Sequence, residues 1–257
     1  MLGEKYHRGS SRDESTQRAE RCQIGGRGAG VARAGRDCAV YCPMNSLSEI
    51  ALRSTFVAVA LVLWFWTQRV ISAKAPANAG LGDRLHDWSA PLHRLLTDHP
   101  RAADVTLIVT SALIDVFGLY LLASAVLGPT LRPFLALLIL FLMRQACQMI
   151  CTLPIPQGSI WRYPGFPSLL VTYGTSNDFF FSGHTAVSVL GALYLYHTAP
   201  PWLAAIGIVV AAVEAVTVIV LRAHYTMDVF AALFAALGAD ILASRIAPFV
   251  DGWLATR

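Results

Sequence analysis

Two short stretches of the chain set side chains capable of nucleophilic and acid–base chemistry against long apolar runs. The first is Asp178 to Thr185, D-F-F-F-S-G-H-T, and the second is Arg222 to Asp228, R-A-H-Y-T-M-D. Each carries one histidine at the edge of an apolar segment, where a titratable ring has no routine structural use. His224 and Asp228 stand at i and i+4, so a helix that starts near His224 puts them on one face. A carboxylate held against one ring nitrogen fixes the tautomer and leaves the other nitrogen as nucleophile or base. The same spacing also suits an interfacial histidine followed by an aspartate placed at a helix start by the dipole.

His184 adds a second ring. Ser182 is a good N-cap for the apolar run that follows, and Gly183 lets other backbone or a ligand approach closely. The unbonded N–H groups of such a helix start make a seat for phosphate. A histidine there can protonate a leaving oxygen, since its ordinary pKa lies near 6.5. Read alone, S-G-H-T is equally a capped helix start with an interfacial histidine. Arg144 is the third element, isolated in an apolar run ten residues before Pro154. A guanidinium is costly in lipid, so it faces inward to an anion or to one of the carboxylates Asp115, Glu214 and Asp240. Arg162 and Arg222 lie nearer the loops. Their planar forks suit phosphate oxygens, although Arg222 could also simply snorkel to the interface.

The elements that must position these groups follow from composition. Of 257 residues, 55% are hydrophobic and only 14% charged, against about a quarter charged in a soluble domain. The expected fold is all-α, a single integral-membrane bundle. Six runs have spanning length: Ser54 to Ala73, Ala103 to Leu127, Arg132 to Leu153, Gly183 to Ala199, Trp202 to Leu221, and Thr226 to Phe249. In lipid these must be helices, because only a helix satisfies its own backbone. Proline and glycine mark their ends at Gly128-Pro129, Pro154 and Pro200-Pro201. The six tryptophans fall mostly near span ends, as interfacial indoles do. With six spans, His184, His224 and the loop from Pro154 to Phe181 all open on one face. The connections at Gly128 to Leu131 and Pro200-Pro201, with both termini, belong to the other.

Between the first two runs, Leu85, Trp88, Leu92, Leu95 and Leu96 form a rough helical stripe that suits a helix lying in the interface. His86, His93 and His99 in that segment read as solvated surface groups. Cys147 and Cys151 read as buried small hydrophobes, being too few for a metal site. Residues 1 to 43 carry eight of the twenty Lys and Arg, with no apolar periodicity. They read as a disordered tail, or as an extension upstream of a start at Met44. The net charge of +4 shows no basic stripe alternating with aromatics, which gives nucleic acid no footing. No carboxylate cluster calls for a metal, and no cofactor is expected.

R-Q-A-C-Q-M-I-C-T-L-P-I-P from Arg144, then D-F-F-F-S-G-H-T, then R-A-H-Y-T-M-D-V resemble, in order and spacing, three motifs of a known group. This is the sphingomyelin synthase-related branch of the type 2 phosphatidic acid phosphatase superfamily. The resemblance covers roughly Arg144 to Val229, and six spans agree with it. It implies that His224 attacks phosphorus, Asp228 orients it, and His184 protonates the leaving alkoxide. It also matches Arg144 to the arginine before Leu-Pro and Asp178 to the acidic residue before S-G-H-T. Arg222 falls near an arginine of the wider superfamily, at a different spacing. That superfamily's first motif, a lysine followed by Arg-Pro, has no clear copy here.

The expected activity is transfer or hydrolysis of a lipid phosphoester through a phosphohistidine. The substrate would be a phospholipid or lipid phosphate. Water as acceptor makes a phosphatase, whereas ceramide or diacylglycerol makes a synthase. The competing class is a non-catalytic membrane transporter or lipid-binding protein whose polar groups line a cavity.

Overall fold

The computed structural model describes residues 47–73, 81–173 and 180–256, all within one compact unit. The segment before Leu47, and Asp178 with its neighbours, lie outside the described residues. Those described form eight helices and no strand: α1 Leu47–Ser72, α2 Arg84–Trp88, α3 Ala90–Asp98, α4 Pro100–Leu127, α5 Arg132–Ile150, α6 Gly183–Thr198, α7 Pro201–Val220 and α8 Thr226–Ala255.

Five of these (α1, α4, α5, α7 and α8) are long and apolar enough to cross a membrane. Together they make the chain an integral, multi-pass membrane protein. The expected runs reappear with shifted ends. α5 stops at Ile150, short of Pro154, whose ring disfavours a helical conformation in the residue before it. α8 continues to Ala255 through Pro248.

α6 has 16 residues, about 24 Å at 1.5 Å per residue, less than the hydrocarbon thickness of about 30 Å. It nevertheless occupies the centre of the bundle, packed against α4, α5, α7 and α8. Ten of its residues are buried. A side chain at Gly191 would run into Phe117 of α4, so the α4–α6 contact depends on a bare backbone there.

At the end away from the histidine motifs, the start of α1, the α4–α5 turn and the end of α8 are tied together. Arg53 donates to the carbonyls of Ala125 (3.2 Å) and Gly128 (2.9 Å). Asp251 of α8 accepts from Thr130 Oγ1 (2.5 Å) and Leu131 N (2.9 Å).

Candidate active site

At the other end, α6, α8 and the loop after α7 bring the two motifs together through the backbone. Ser182 N donates to the carbonyl of Asp228 (3.2 Å). Ser182 caps α6, its hydroxyl accepting from Thr185 N (3.3 Å). Asp228, fully buried, sits at the third position of α8, where its Oδ2 accepts from Tyr225 N (2.9 Å). The same oxygen stands 3.7 Å from His224 Nδ1, within ion-pairing range but longer than a hydrogen bond. Asp228 thus caps the start of α8 and stands beside the imidazole without a hydrogen bond to it.

His184 and His224 line one pocket, together with Arg144, Gly183 and Gln68. Its remaining walls are mostly apolar or aromatic, among them Ile114, Phe141 and Trp161. Both histidines are buried, and among the described residues His184 Nε2 has no hydrogen-bond partner. A buried polar atom without a partner costs about 1–3 kcal/mol.

Arg144 is buried. Its Nε donates to the carbonyl of Phe181 (2.9 Å) and its NH1 to Gln148 Oε1 (3.3 Å). In the amide orientation that satisfies its neighbours, Gln68 Oε1 accepts from Arg144 NH1 and from Trp64 Nε1, both at 3.1 Å. A methyl group on Gly183 would sit 3.5 Å from Arg144 Nε, so the guanidinium packs against the first turn of α6. The cation and the helix N-terminus thus present positive potential to one spot. Asp115, Glu214 and Asp240, the carboxylates within the apolar runs, each have a partner among the described residues. Asp115 accepts from Leu169 N and Leu170 N (2.8 Å each), Glu214 pairs with Thr110, and Asp240 takes Arg132 (2.9 Å) and His197 (3.3 Å).

The other two arginines stand away from this pocket's lining. Arg162, exposed, pairs with Asp104 (2.6 Å) and reaches the Pro100 carbonyl (3.3 Å). Arg222 donates from NH1 to the Gln157 carbonyl (2.8 Å) and has a left-handed backbone with φ of 52°. Opposite it, Gly158 (φ 76°) leaves so little room that a Cβ would lie 3.2 Å from Arg222 NH1 and 3.3 Å from His93 Nε2.

Three expectations need correction. His86 and His93 are buried, not solvated. His86 Nε2 meets the His224 carbonyl at 2.9 Å, and His93 Nδ1 meets the Val220 carbonyl at 2.8 Å. Only His99 of the three is exposed. α2 and α3 therefore clamp the loop that carries His224. Asp83, the N-cap of α2, joins them, its carboxylate accepting from Thr226 N (2.5 Å) and Thr226 Oγ1 (2.6 Å). Burial pushes the Asp83 carboxyl up, but these bonds outweigh it and hold it below its ordinary value.

Cys147 is half-buried and Cys151 exposed, because α5 turns that edge outward at its end. Trp64, read as an interfacial indole, is buried and stacks on Phe141 at 5.2 Å, walling the pocket. Trp161 sets its ring edge-on to His184 at 5.0 Å. The sequence offered a signal for this wall: Gln68, a polar residue inside an apolar run, one turn after Trp64.

Fold and site together define a multi-pass membrane protein with a histidine–arginine pocket at one end of a helical bundle. A family model described as AtPDCT1/2, a name that denotes phosphatidylcholine:diacylglycerol cholinephosphotransferase, matches residues 85–245. The chain belongs to that family, and so to the membrane transferases of lipid metabolism. The matched segment contains Arg144, both histidine motifs and the α2–α3 clamp. A comparison with curated proteins gave no match.

Proposed function

We propose that this protein moves a phosphocholine head group from phosphatidylcholine to diacylglycerol through a phosphohistidine at His224. The observation that carries the reading is the convergence of His184, His224 and Arg144 on one pocket, with the buried Nε2 of His184 awaiting a partner. The family's description supports the choice of head group and acceptor. We also take α6 as a sixth span, in keeping with the resemblance to the sphingomyelin synthase-related branch and its superfamily fold.

His224 Nδ1 is the nitrogen turned to Asp228, so Nε2 attacks phosphorus. The new P–N bond forms as the P–O bond to the donor's glycerol oxygen breaks, and His184 passes its proton to that oxygen. The incoming diacylglycerol hydroxyl then loses its proton to His184, its oxygen attacks phosphorus, and the P–N bond breaks. One hard displacement becomes two easier ones. Arg144 and the N–H groups opening α6 hold the phosphoryl oxygens. Arg162, ion-paired at the surface, takes no part, and Arg222 supports the loop from outside the pocket. The apolar walls favour a lipid alcohol over water as acceptor.

The test is incubation of purified protein with choline-labelled phosphatidylcholine and diacylglycerol of a different acyl composition, with parallel arms containing ceramide or water alone. Label should pass to the added diacylglycerol, and an acid-labile phosphoprotein should appear and vanish in His224→Ala. Label found only on ceramide would move the acceptor to a sphingoid alcohol, and free phosphocholine alone would make the protein a hydrolase. Unaltered exchange in His224→Ala refutes the mechanism.

A further inference from the structure

The catalytic pocket does not end at the histidines. A second cavity lies between α1, α4 and α5 and shares three of its lining residues, Trp64, Phe141 and Leu170, with the first. Every residue around this second cavity is a hydrocarbon, aromatic or glycine residue. It follows α1 from Trp64 back to Val57 and α5 from Phe141 back to Phe134. Each stretch covers eight residues, about 10 Å of helix, and both lead away from the histidine end towards the other face. Leu170 stands at the junction. Its backbone N–H is bonded to Asp115 (2.8 Å), and its side chain presses on Gly118, where an added Cβ would lie 2.0 Å from Leu170 Cδ1. Asp115 and Gly118, one turn apart on α4, thus fix Leu170 in the wall that the histidine pocket and the apolar slot share with Trp64 and Phe141.

A pocket that carries two histidines and an arginine, next to a hydrocarbon-lined slot with which it shares a wall, fits an amphiphile with its head at one end and a chain at the other. We infer that the slot between α1, α4 and α5 holds one acyl chain of the glycerolipid whose phosphoester lies at His184, His224 and Arg144. This deepens the reading above and depends on it for the position of the head group. It commits α1, the most loosely packed of the five long apolar helices, to a substrate-binding role through the face that lines the slot at Val57, Ala60, Leu61 and Trp64.

Two measurements test it. A phosphatidylcholine carrying a diazirine midway along one acyl chain, photolysed on the full-length protein in a nanodisc, should label the slot-lining residues Ala60, Leu61, Leu137 and Leu138. Labelling confined to outward residues such as Val59, Val62 and Leu63, which are 53%, 68% and 57% exposed, would overturn the inference, since it would report bulk lipid. Slot labelling without any head-group transfer would sink the catalytic reading and leave the slot intact. In the exchange assay, Ala60→Phe should lower the ratio of long-chain to short-chain kcat/KM by about tenfold, the usual scale for a lost methylene-sized fit. Leu122→Ala should raise that ratio. Equal loss for both chain lengths in Ala60→Phe, with no change of ratio in Leu122→Ala, refutes the assignment.

Discussion

Replacing His93 or His86 by phenylalanine removes a clamp on the catalytic loop without touching a residue of the pocket. His93 Nδ1 lies 2.8 Å from the Val220 carbonyl and His86 Nε2 lies 2.9 Å from the His224 carbonyl, and both rings are buried. Each substitution leaves a carbonyl short of a donor, which costs about 1–3 kcal/mol of stability. The catalytic effect is separate. His224 and Arg222 hang on a short turn between α7 and α8, and a shift of about 1 Å in a reacting group can lower turnover about a hundredfold. Because the change is to geometry rather than to a lipid contact, the loss should fall on kcat, with KM for phosphatidylcholine moving less than about twofold. Asn places its amide nitrogen near the position of a histidine Nδ1, and Gln near that of Nε2. His93→Asn and His86→Gln should therefore recover most of kcat while the phenylalanine variants do not. The assay is head-group exchange on purified protein, with thermal unfolding followed in parallel. Wild-type kcat in both phenylalanine variants would refute the clamp. So would losses that the isosteric amides fail to rescue.

Other outcomes follow from the same geometry. Burial lowers the pKa of His93, and Arg222 and His86 nearby push it the same way against the bond to Val220. The unfolded chain then binds the proton more readily, so stability holds above the ordinary pKa of 6.5 and falls as pH drops towards the folded value. Melting temperatures measured across that range should decline on acidification, and less steeply in His93→Asn. Arg144→Gln should reduce kcat/KM about a hundredfold or more, as removal of a preorganised donor does elsewhere, whereas Arg162→Ala should change it less than about threefold, being a surface ion pair. Steady-state exchange with both variants checks the contrast. Asp228→Asn should lower kcat by about a hundredfold or more and also destabilise α8, visible as a lower melting temperature. Retention of full activity in that variant would deny the aspartate its orienting role.

Much of the architecture can be read along the chain because it depends on local quantities. Apolar runs of fixed length force helices in lipid, and prolines at 154, 200 and 201 mark where they must stop or start. The spacing of His224 and Asp228, and the S-G-H-T cap, single out the candidate groups from local pattern, although α8 starts at Thr226 and His224 faces Asp228 from the loop before it rather than from the same helix. The amphipathic segment between the first two long helices was half legible. Its apolar stripe is indeed outward, with Trp88, Leu92 and Leu95 exposed. Its histidines, on the other side, could have met water or protein, and nothing in the local pattern decides between them. They meet the loop of His224, more than a hundred residues away in the chain.

Tertiary structure alone decided which cations and aromatics surround the pocket. Arg144, Arg162 and Arg222 are alike as residues, yet one is cradled by Gln68, Gln148 and Phe181 while another spends its charge on Asp104. Trp64 and Trp161 differ from the remaining tryptophans only by where α1 and the loop before α6 happen to lie. Sequence spacing specifies neighbours within a helix, whereas the partner of a buried side chain is set by how the helices pack. Here that packing set α2 and α3 against the loop that carries His224.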